Sequence, residues 1–249
     1  MSNTEDQPAP PELPALGTLG LGESIDKLLK KPVDLLAYLQ RGKPVTIAAK
    51  LFFSSLLCLS LFGFVVGLFA IDQEFGRQQL WAAPAKITGG LLFSGLICLP
   101  SLYIFSCLNG LDIRIGTTIG VMAASIALAS LLLVSFAPVV WIFSQSTDST
   151  IFLGGLLITF WAVALLFVAG LLFKARKILG GQPRGHYLVW ITIFALVTFQ
   201  MSTSLRPLVG AEEQLLPTEK KFFLQHWVDQ INISTERAAS RGWESERST

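Results

Sequence analysis

The sequence predicts an all-α integral membrane protein: a bundle of five transmembrane helices with amphipathic interfacial helices before the first and after the last span. Of 249 residues, 52% are hydrophobic and only 14% are charged. Five segments contain no Asp, Glu, Lys or Arg, namely 51–70, 87–108, 115–147, 151–173 and 187–205. Each is close to, or longer than, the roughly 20 residues that a helix needs to cross the hydrocarbon core.

The N-terminal 1–21 segment is proline-rich and acidic, so we expect a disordered tail. It lacks a basic start followed by an apolar stretch, which predicts no cleavable signal peptide, and the first span then acts as its own insertion signal.

An amphipathic cytoplasmic interfacial helix is predicted over 22–46. Apolar residues recur there at helical spacings, with lysines between them: Ile25, Leu28, Leu29, Val33, Leu36 and Leu39. Such a helix lies in the headgroup plane, where lysines meet anionic lipid. Pro32 leaves open two short helices meeting at Lys31, and a cytoplasmic helix packed on loop residues is the other alternative.

The five-span domain is predicted over 47–206, with spans at about 47–70, 87–108, 117–143, 151–173 and 187–206. The third uncharged stretch exceeds one crossing, so we assign Thr117 to Phe143 to the helix and Ser144 to Thr150 to a short hairpin. A break at Pro138 is the alternative.

Within the spans, small residues predict close helix packing. Gly116, Gly120 and Ala124 recur at every fourth residue, which exposes a backbone groove to another helix. Pro100 frees the carbonyl of Leu96 and is a candidate kink. Helix packing within the monomer or an interface with a partner explains the small residues.

The 207–249 segment is predicted to hold a C-terminal interfacial helix and a charged tail. Thr218 caps a helix that extends to Ile231, with Phe223 and Trp227 on the same stripe. The aromatic stripe indicates an interfacial anchor or a docking face for a partner.

Lys and Arg residues near the span ends set the orientation. Eleven lie on the side of the N-terminus and five on the opposite side. Because short cytoplasmic loops carry the excess, the N-terminus is predicted to be cytoplasmic and the C-terminus outside. Short loops further indicate a bacterial inner membrane protein.

Several function classes lack their chemistry in this sequence. A net charge of +2 does not indicate nucleic-acid binding. The spans hold no ionisable residue at mid-depth, HExxH and GxxxxGK[ST] are missing, and the three cysteines have no ligand spacing. We therefore predict no catalytic residue, no metal and no cofactor, and partners limited to membrane lipids, an integral membrane protein or a second copy.

The end of the fifth span carries the candidate contact. Gln200, Thr203 and Ser204 share one helical face, and Arg206 lies beside it at the outer boundary. Lipid is a poor neighbour for that face, so it is expected to turn inward or toward a partner, a headgroup or a solute.

The chain resembles the bacterial branch of the Yip-domain family. The resemblance rests on a basic amphipathic pre-membrane segment, five closely spaced spans, an inside N-terminus and the "K…PSLY…G" run through the second span. It covers about residues 30 to 205 and implies a non-enzymatic membrane component. The Asp-Leu-Tyr-Gly-Pro type motif of the GTPase-associated eukaryotic members is not present, so GTPase binding does not carry over.

Three functions remain open at this point. The first is a non-enzymatic accessory or organising component of a membrane complex or of lipid organisation. The second is a subunit of a transporter or channel, in which hydroxyl-rich faces line a path. An enzyme with an interfacial site is the third.

Overall fold

A computed structural model of the chain describes residues 20–42, 44–68, 76–108, 110, 113–146, 150–178 and 186–204, and these are helical almost throughout. The helices in this part of the chain are α1 (Leu21–Lys30), α2 (Pro32–Arg41), α3 (Pro44–Leu68), α4 (Gly76–Leu108), α5 (Ile115–Ser146), α6 (Thr150–Ile178) and α7 (His186–Ser204).

Four of these helices are long and apolar enough to cross a membrane: Pro44–Leu68, Trp81–Leu108, Ile115–Ser146 and Phe152–Ile178. α7 is a shorter case, apolar over Leu188–Gln200. α5 continues through Pro138 to Ser146, so the alternative of a break at this proline does not occur. The described residues therefore form a helical bundle, and four of its helices are compatible with crossing a membrane.

The helices α3, α4 and α5 form the centre of the bundle. α3 packs against both α4 and α5, and α4 also touches α5. α6 packs on the outer side of α5, whereas α7 packs chiefly on α4. Val121 to Ser130 are all buried, and since ten residues make nearly three helical turns, every side of α5 is covered there.

The segment before the first long helix is two helices, which meet at Lys31. The Lys31 carbonyl accepts from the backbone N–H groups of Asp34 and Leu35 at 3.0 and 3.3 Å, and so starts α2. Pro32 at the first position of α2 needs no donor there. α1 carries two ion pairs of its own, Lys27 to Glu23 at 2.9 Å and Lys30 to Asp26 at 2.6 Å.

The apolar face of α1 and α2 differs from the sequence expectation. A lipid-facing stripe was predicted, but Leu28, Leu36 and Leu39 are at most 2% exposed, as is Leu35. α2 packs against α3, α5 and α6, and α1 against α3 and α5. The two helices therefore close one end of the bundle, here called the α2 end, and only Leu29 and Val33 of the predicted stripe are exposed.

Candidate functional site

The glycine row of α5 lies where the α2 end meets the long helices. A Cβ atom on Gly120 would lie 2.7 Å from Cδ2 of Leu39, and one on Gly116 would lie 3.2 Å from Cγ of Pro44. The Thr117 hydroxyl donates to the Leu39 carbonyl at 3.5 Å. Small residues on α5 thus let α2 and the start of α3 approach the helix backbone.

Ala124, the third member of the predicted row, is fully buried one turn further along α5. The row therefore faces protein over its whole length. The residues that contact its two glycines, Leu39 and Pro44, come from distant parts of the sequence.

Two further close approaches were missed by the sequence reasoning. A Cβ atom on Gly63 would lie 2.5 Å from the Cα atom of Pro84, so α3 and α4 nearly touch by their backbones. A Cβ atom on Gly95 would lie 2.6 Å from Cδ1 of Ile126 on α5. Glycines in spans were the available signal, but their partners lie on other helices.

Five buried hydroxyl groups of α3 to α7 are bonded within their own helix. Each donates to a backbone carbonyl three or four residues earlier, at 2.6 to 2.9 Å: Ser55, Ser94, Ser125, Ser130 and Thr198. Such bonds satisfy the hydroxyl without a second helix. The buried hydroxyls of Thr88 and Thr118 and the buried indole N–H of Trp161 have no hydrogen-bond partner within the described chain.

A side-chain hydrogen bond connects α7 to α4. The indole N–H of Trp190 donates to the Ser101 hydroxyl at 3.0 Å, and that hydroxyl donates to the Cys98 carbonyl at 2.8 Å. The Trp190 ring stacks on Phe194, with centroids 5.3 Å apart. Pro100, the candidate kink, is exposed next to this bond, and α4 continues through it.

The predicted polar face of α7 is only partly described. Gln200 is half-buried, and its Oε1 atom is buried. Arg206 lies outside the described residues, and so do the side chains of Thr203 and Ser204, whose backbone ends α7. α7 packs chiefly on α4, whereas the glycine row on α5 faces α2 and α3, so these two candidates are separate places.

Basic side chains gather at the α2 end. Lys174, Arg176 and Lys177 fall within the last five residues of α6, and Arg114 precedes α5. Lys174, Lys177 and Arg114 are exposed, whereas Arg176 is half-buried, with its Nε atom buried and its guanidinium carbon 5.9 Å from the centroid of the Phe173 ring.

The acidic groups at this end lie on α1 and α2. The hydrogen bond between Lys27 and Glu23 lowers the pKa of the Glu23 carboxyl group, and the positive charges of Lys27 and Lys50 lower it as well. α1 packs against α3, the helix that carries Lys50.

Other sequence expectations fall elsewhere. The tail up to residue 19 and the C-terminal segment 207–249, with its Thr218 to Ile231 helix, lie outside the described residues. Over the part that the structure does describe, no cluster of three or more His, Cys, Asp or Glu side chains forms a metal-binding group. No family model matches the chain, and no curated protein or solved structure matches it either.

Proposed function

We propose that this chain is a five-span, non-enzymatic membrane protein that acts as an accessory or organising component of a membrane complex or of lipid organisation. In this proposal α7 is the fifth span, the N-terminus is cytoplasmic and the membrane is a bacterial inner membrane. The α2 end then faces the cytoplasm, as the distribution of Lys and Arg favours. The resemblance to bacterial Yip-domain proteins belongs to the same proposal.

The observation that carries it is how the interior of the bundle is filled. Gly63 brings the backbones of α3 and α4 together, and Gly120 of α5 receives the Leu39 side chain of α2. Five buried hydroxyls are bonded to carbonyls of their own helices. A packed interior of this kind supports a scaffold whose contacts lie on its surface. Charged groups gather at one end of that surface.

Co-purification tests this role. The full chain is extracted in mild detergent, and the proteins and lipids that accompany it are identified by mass spectrometry, with an unrelated five-span protein as the control. We expect a reproducible partner, or lipids enriched over the bulk membrane. A chain that carries neither, and that leaves the properties of reconstituted bilayers unchanged, would contradict the proposal.

A second candidate function is a subunit of a transporter or channel. The buried hydroxyl of Thr88 and the indole N–H of Trp161 favour it, because each lacks a hydrogen-bond partner among the described residues and buried polar groups are normally paired. Three prolines within two of the long helices add irregular backbone: Pro84 and Pro100 in α4, and Pro138 in α5. Flux measurements on proteoliposomes over a broad panel of solutes test this candidate, and impermeable vesicles count against it.

A further inference from the structure

We infer that the basic end of α6 binds the phosphate of an anionic phospholipid. This inference rests on the proposed function, since it names the lipid class and the place of contact. Four steps lead to it: the depth of these residues, their mutual level, their charge balance and the fixed position of Arg176.

The first step is depth. α5 has 32 residues and α6 has 29, so at ~1.5 Å per residue they measure about 48 Å and about 44 Å. The hydrocarbon core is about 30 Å thick, which leaves roughly 7 to 9 Å, or some five or six residues, beyond the core at each end of a centred helix. Lys174, Arg176 and Lys177 fall in that zone, at the depth of the lipid phosphates.

The second step is the position of the end of α6 along the bundle axis, relative to α5 and α2. Phe136 of α5 stacks on Phe160 of α6 with centroids 4.3 Å apart, and Phe143 lies against Phe152 at 5.4 Å. These pairs show that the helices run antiparallel, and they place Arg176 level with Gly120. Since Leu39 of α2 contacts Gly120, the last turn of α6 lies level with the C-terminal part of α2.

The third step is charge. A helix C-terminus carries roughly half a negative charge, which a single cation already balances. Three cations in the last five residues of α6 exceed it. Two of the three described acidic groups at this end, Glu23 and Asp26, are in ion pairs with Lys27 and Lys30 of α1. The exposed Lys174 and Lys177 therefore leave a positive excess at the end of α6, which suits an anionic lipid better than a zwitterionic one.

The fourth step is the position of Arg176. Its Nε atom is buried and its guanidinium lies over the Phe173 ring, while Lys174 and Lys177 beside it are exposed. A guanidinium held in place loses less conformational entropy when it contacts a phosphate than a free lysine does. Arg176 then fixes the phosphate, and the lysines supply long-range attraction.

The test measures lipid binding to the full chain in detergent by native mass spectrometry. The probes are phosphatidylglycerol and phosphatidylcholine with identical acyl chains, and glycerol 3-phosphate is the competitor. We expect the wild type to prefer phosphatidylglycerol by about tenfold or more, because each basic residue near an anionic lipid contributes about fivefold. Glycerol 3-phosphate should not compete, because it lacks the acyl chains that hold the lipid beside the helix.

Two variants and a matched control locate the site. Arg176→Gln should weaken phosphatidylglycerol binding about fivefold, and the double variant Lys174→Gln/Lys177→Gln more strongly. The double variant changes only exposed side chains, so it remains decisive if Arg176→Gln fails to fold. Lys30→Gln removes the same charge at the same end from a lysine paired with Asp26, and it should leave binding unchanged.

Four results would overturn the inference: equal binding of the two lipids by the wild type, unchanged affinity in the double variant, an equal loss in Lys30→Gln, or displacement by glycerol 3-phosphate. The last would mean a site for a soluble phosphate instead of a lipid. These outcomes are separate from the proposed role. Failure to recruit a partner or to alter bilayers can coexist with lipid binding, and an organising role can survive its loss.

Discussion

The first half of α5 and the whole of α7 are apolar helices of the same bundle, yet they are surrounded very differently. Glycine, alanine and serine dominate the start of α5, where α2, α3, α4 and α6 all approach it. α7 contains no glycine and packs chiefly on α4 through large side chains such as Trp190 and Phe194.

The difference shows that side-chain size decides how many neighbours a membrane helix takes. In a bilayer the lipid is as apolar as the helix, so close backbone approach and hydrogen bonds supply the preference for protein contact. α5 is buried on every side over Val121 to Ser130 and lets α2 and α3 approach closely at its glycines, whereas α7 has the hydrogen bond from Trp190 to Ser101. Substitutions that add atoms at the centre of the bundle should therefore lower the free energy of unfolding more than substitutions that weaken the contact of α7 with α4.

The largest effect is expected from Gly63→Ala. The new methyl group would lie 2.5 Å from Cα of Pro84 and 3.0 Å from its nitrogen, and backbone atoms cannot rotate away. Separation of α3 from α4 should lower the free energy of unfolding by about 1–3 kcal/mol. Unfolding in mixed detergent with rising dodecyl sulfate, followed by circular dichroism, measures it.

Gly154→Ala on α6 is the control for that substitution, because nothing lies within 4 Å of the added methyl group. It should be neutral or stabilise the helix by up to about 1 kcal/mol, since alanine is the better helix former. Similar losses in both variants would show that the close approach of α3 and α4 does not matter.

A smaller effect is expected from Gly120→Ala. Its methyl group meets Cδ2 of Leu39 at 2.7 Å, the end of a flexible side chain that can turn aside. We expect a loss of about 1 kcal/mol, concentrated in faster amide hydrogen exchange over α2. Gly170→Ala, which has open space, is the control. If amide hydrogen exchange over α2 is unchanged in Gly120→Ala, the contact between Gly120 and Leu39 does not stabilise α2.

The contact of α7 is tested by Trp190→Phe, Ser101→Ala and the double variant. Phenylalanine keeps an aromatic ring beside Phe194 but loses the hydrogen bond to Ser101. Hydrogen bonds between membrane helices average about 0.6 kcal/mol in double-mutant cycles, and we expect a coupling of that size. Trp141→Phe, at an exposed tryptophan of α5, is the matched control. If the losses in free energy of unfolding of the two single variants simply add in the double variant, the hydrogen bond from Trp190 to Ser101 does not stabilise the contact of α7 with α4.

The smallest effect concerns α1 and pH. The hydrogen bond with Lys27 lowers the pKa of Glu23 in the folded chain, so its contribution to stability is present above the unfolded pKa. It is lost as the pH falls through the lowered folded value. Amide exchange in α1, corrected for intrinsic rates, should therefore become less protected in acid, and Glu23→Gln should remove this pH dependence. An unchanged profile in that variant would exclude the ion pair as its cause.

Helix ends show what a charge pattern can and cannot predict. The fourth span was predicted to end at Phe173, where the uncharged stretch stops, but α6 continues to Ile178 through Lys174, Arg176 and Lys177. Charges mark where the hydrocarbon ends, whereas the helix continues into the headgroup zone, since its backbone bonds remain satisfied there. For the same reason α4 begins at Gly76, well before the predicted Ile87.

The candidate site was predictable only in part. The spacing of Gly116, Gly120 and Ala124 predicted that some helix comes close, but Leu39 lies about eighty residues away in the sequence and no local pattern joins the two. Trp190 and Ser101 were missed because a tryptophan N–H and a serine hydroxyl reveal a partner only once both helices are placed.

The sequence by itself determined an all-helical membrane bundle, because long uncharged stretches leave the backbone no other way to satisfy its hydrogen bonds in lipid. It also determined that α1 and α2 have an apolar face. Only the tertiary structure decided that this face covers the end of the bundle instead of lying in lipid. The physical reason is space: glycines on α5 leave room that Leu39 of α2 and Pro44 of α3 fill, and contacts between distant segments are absent from any local pattern.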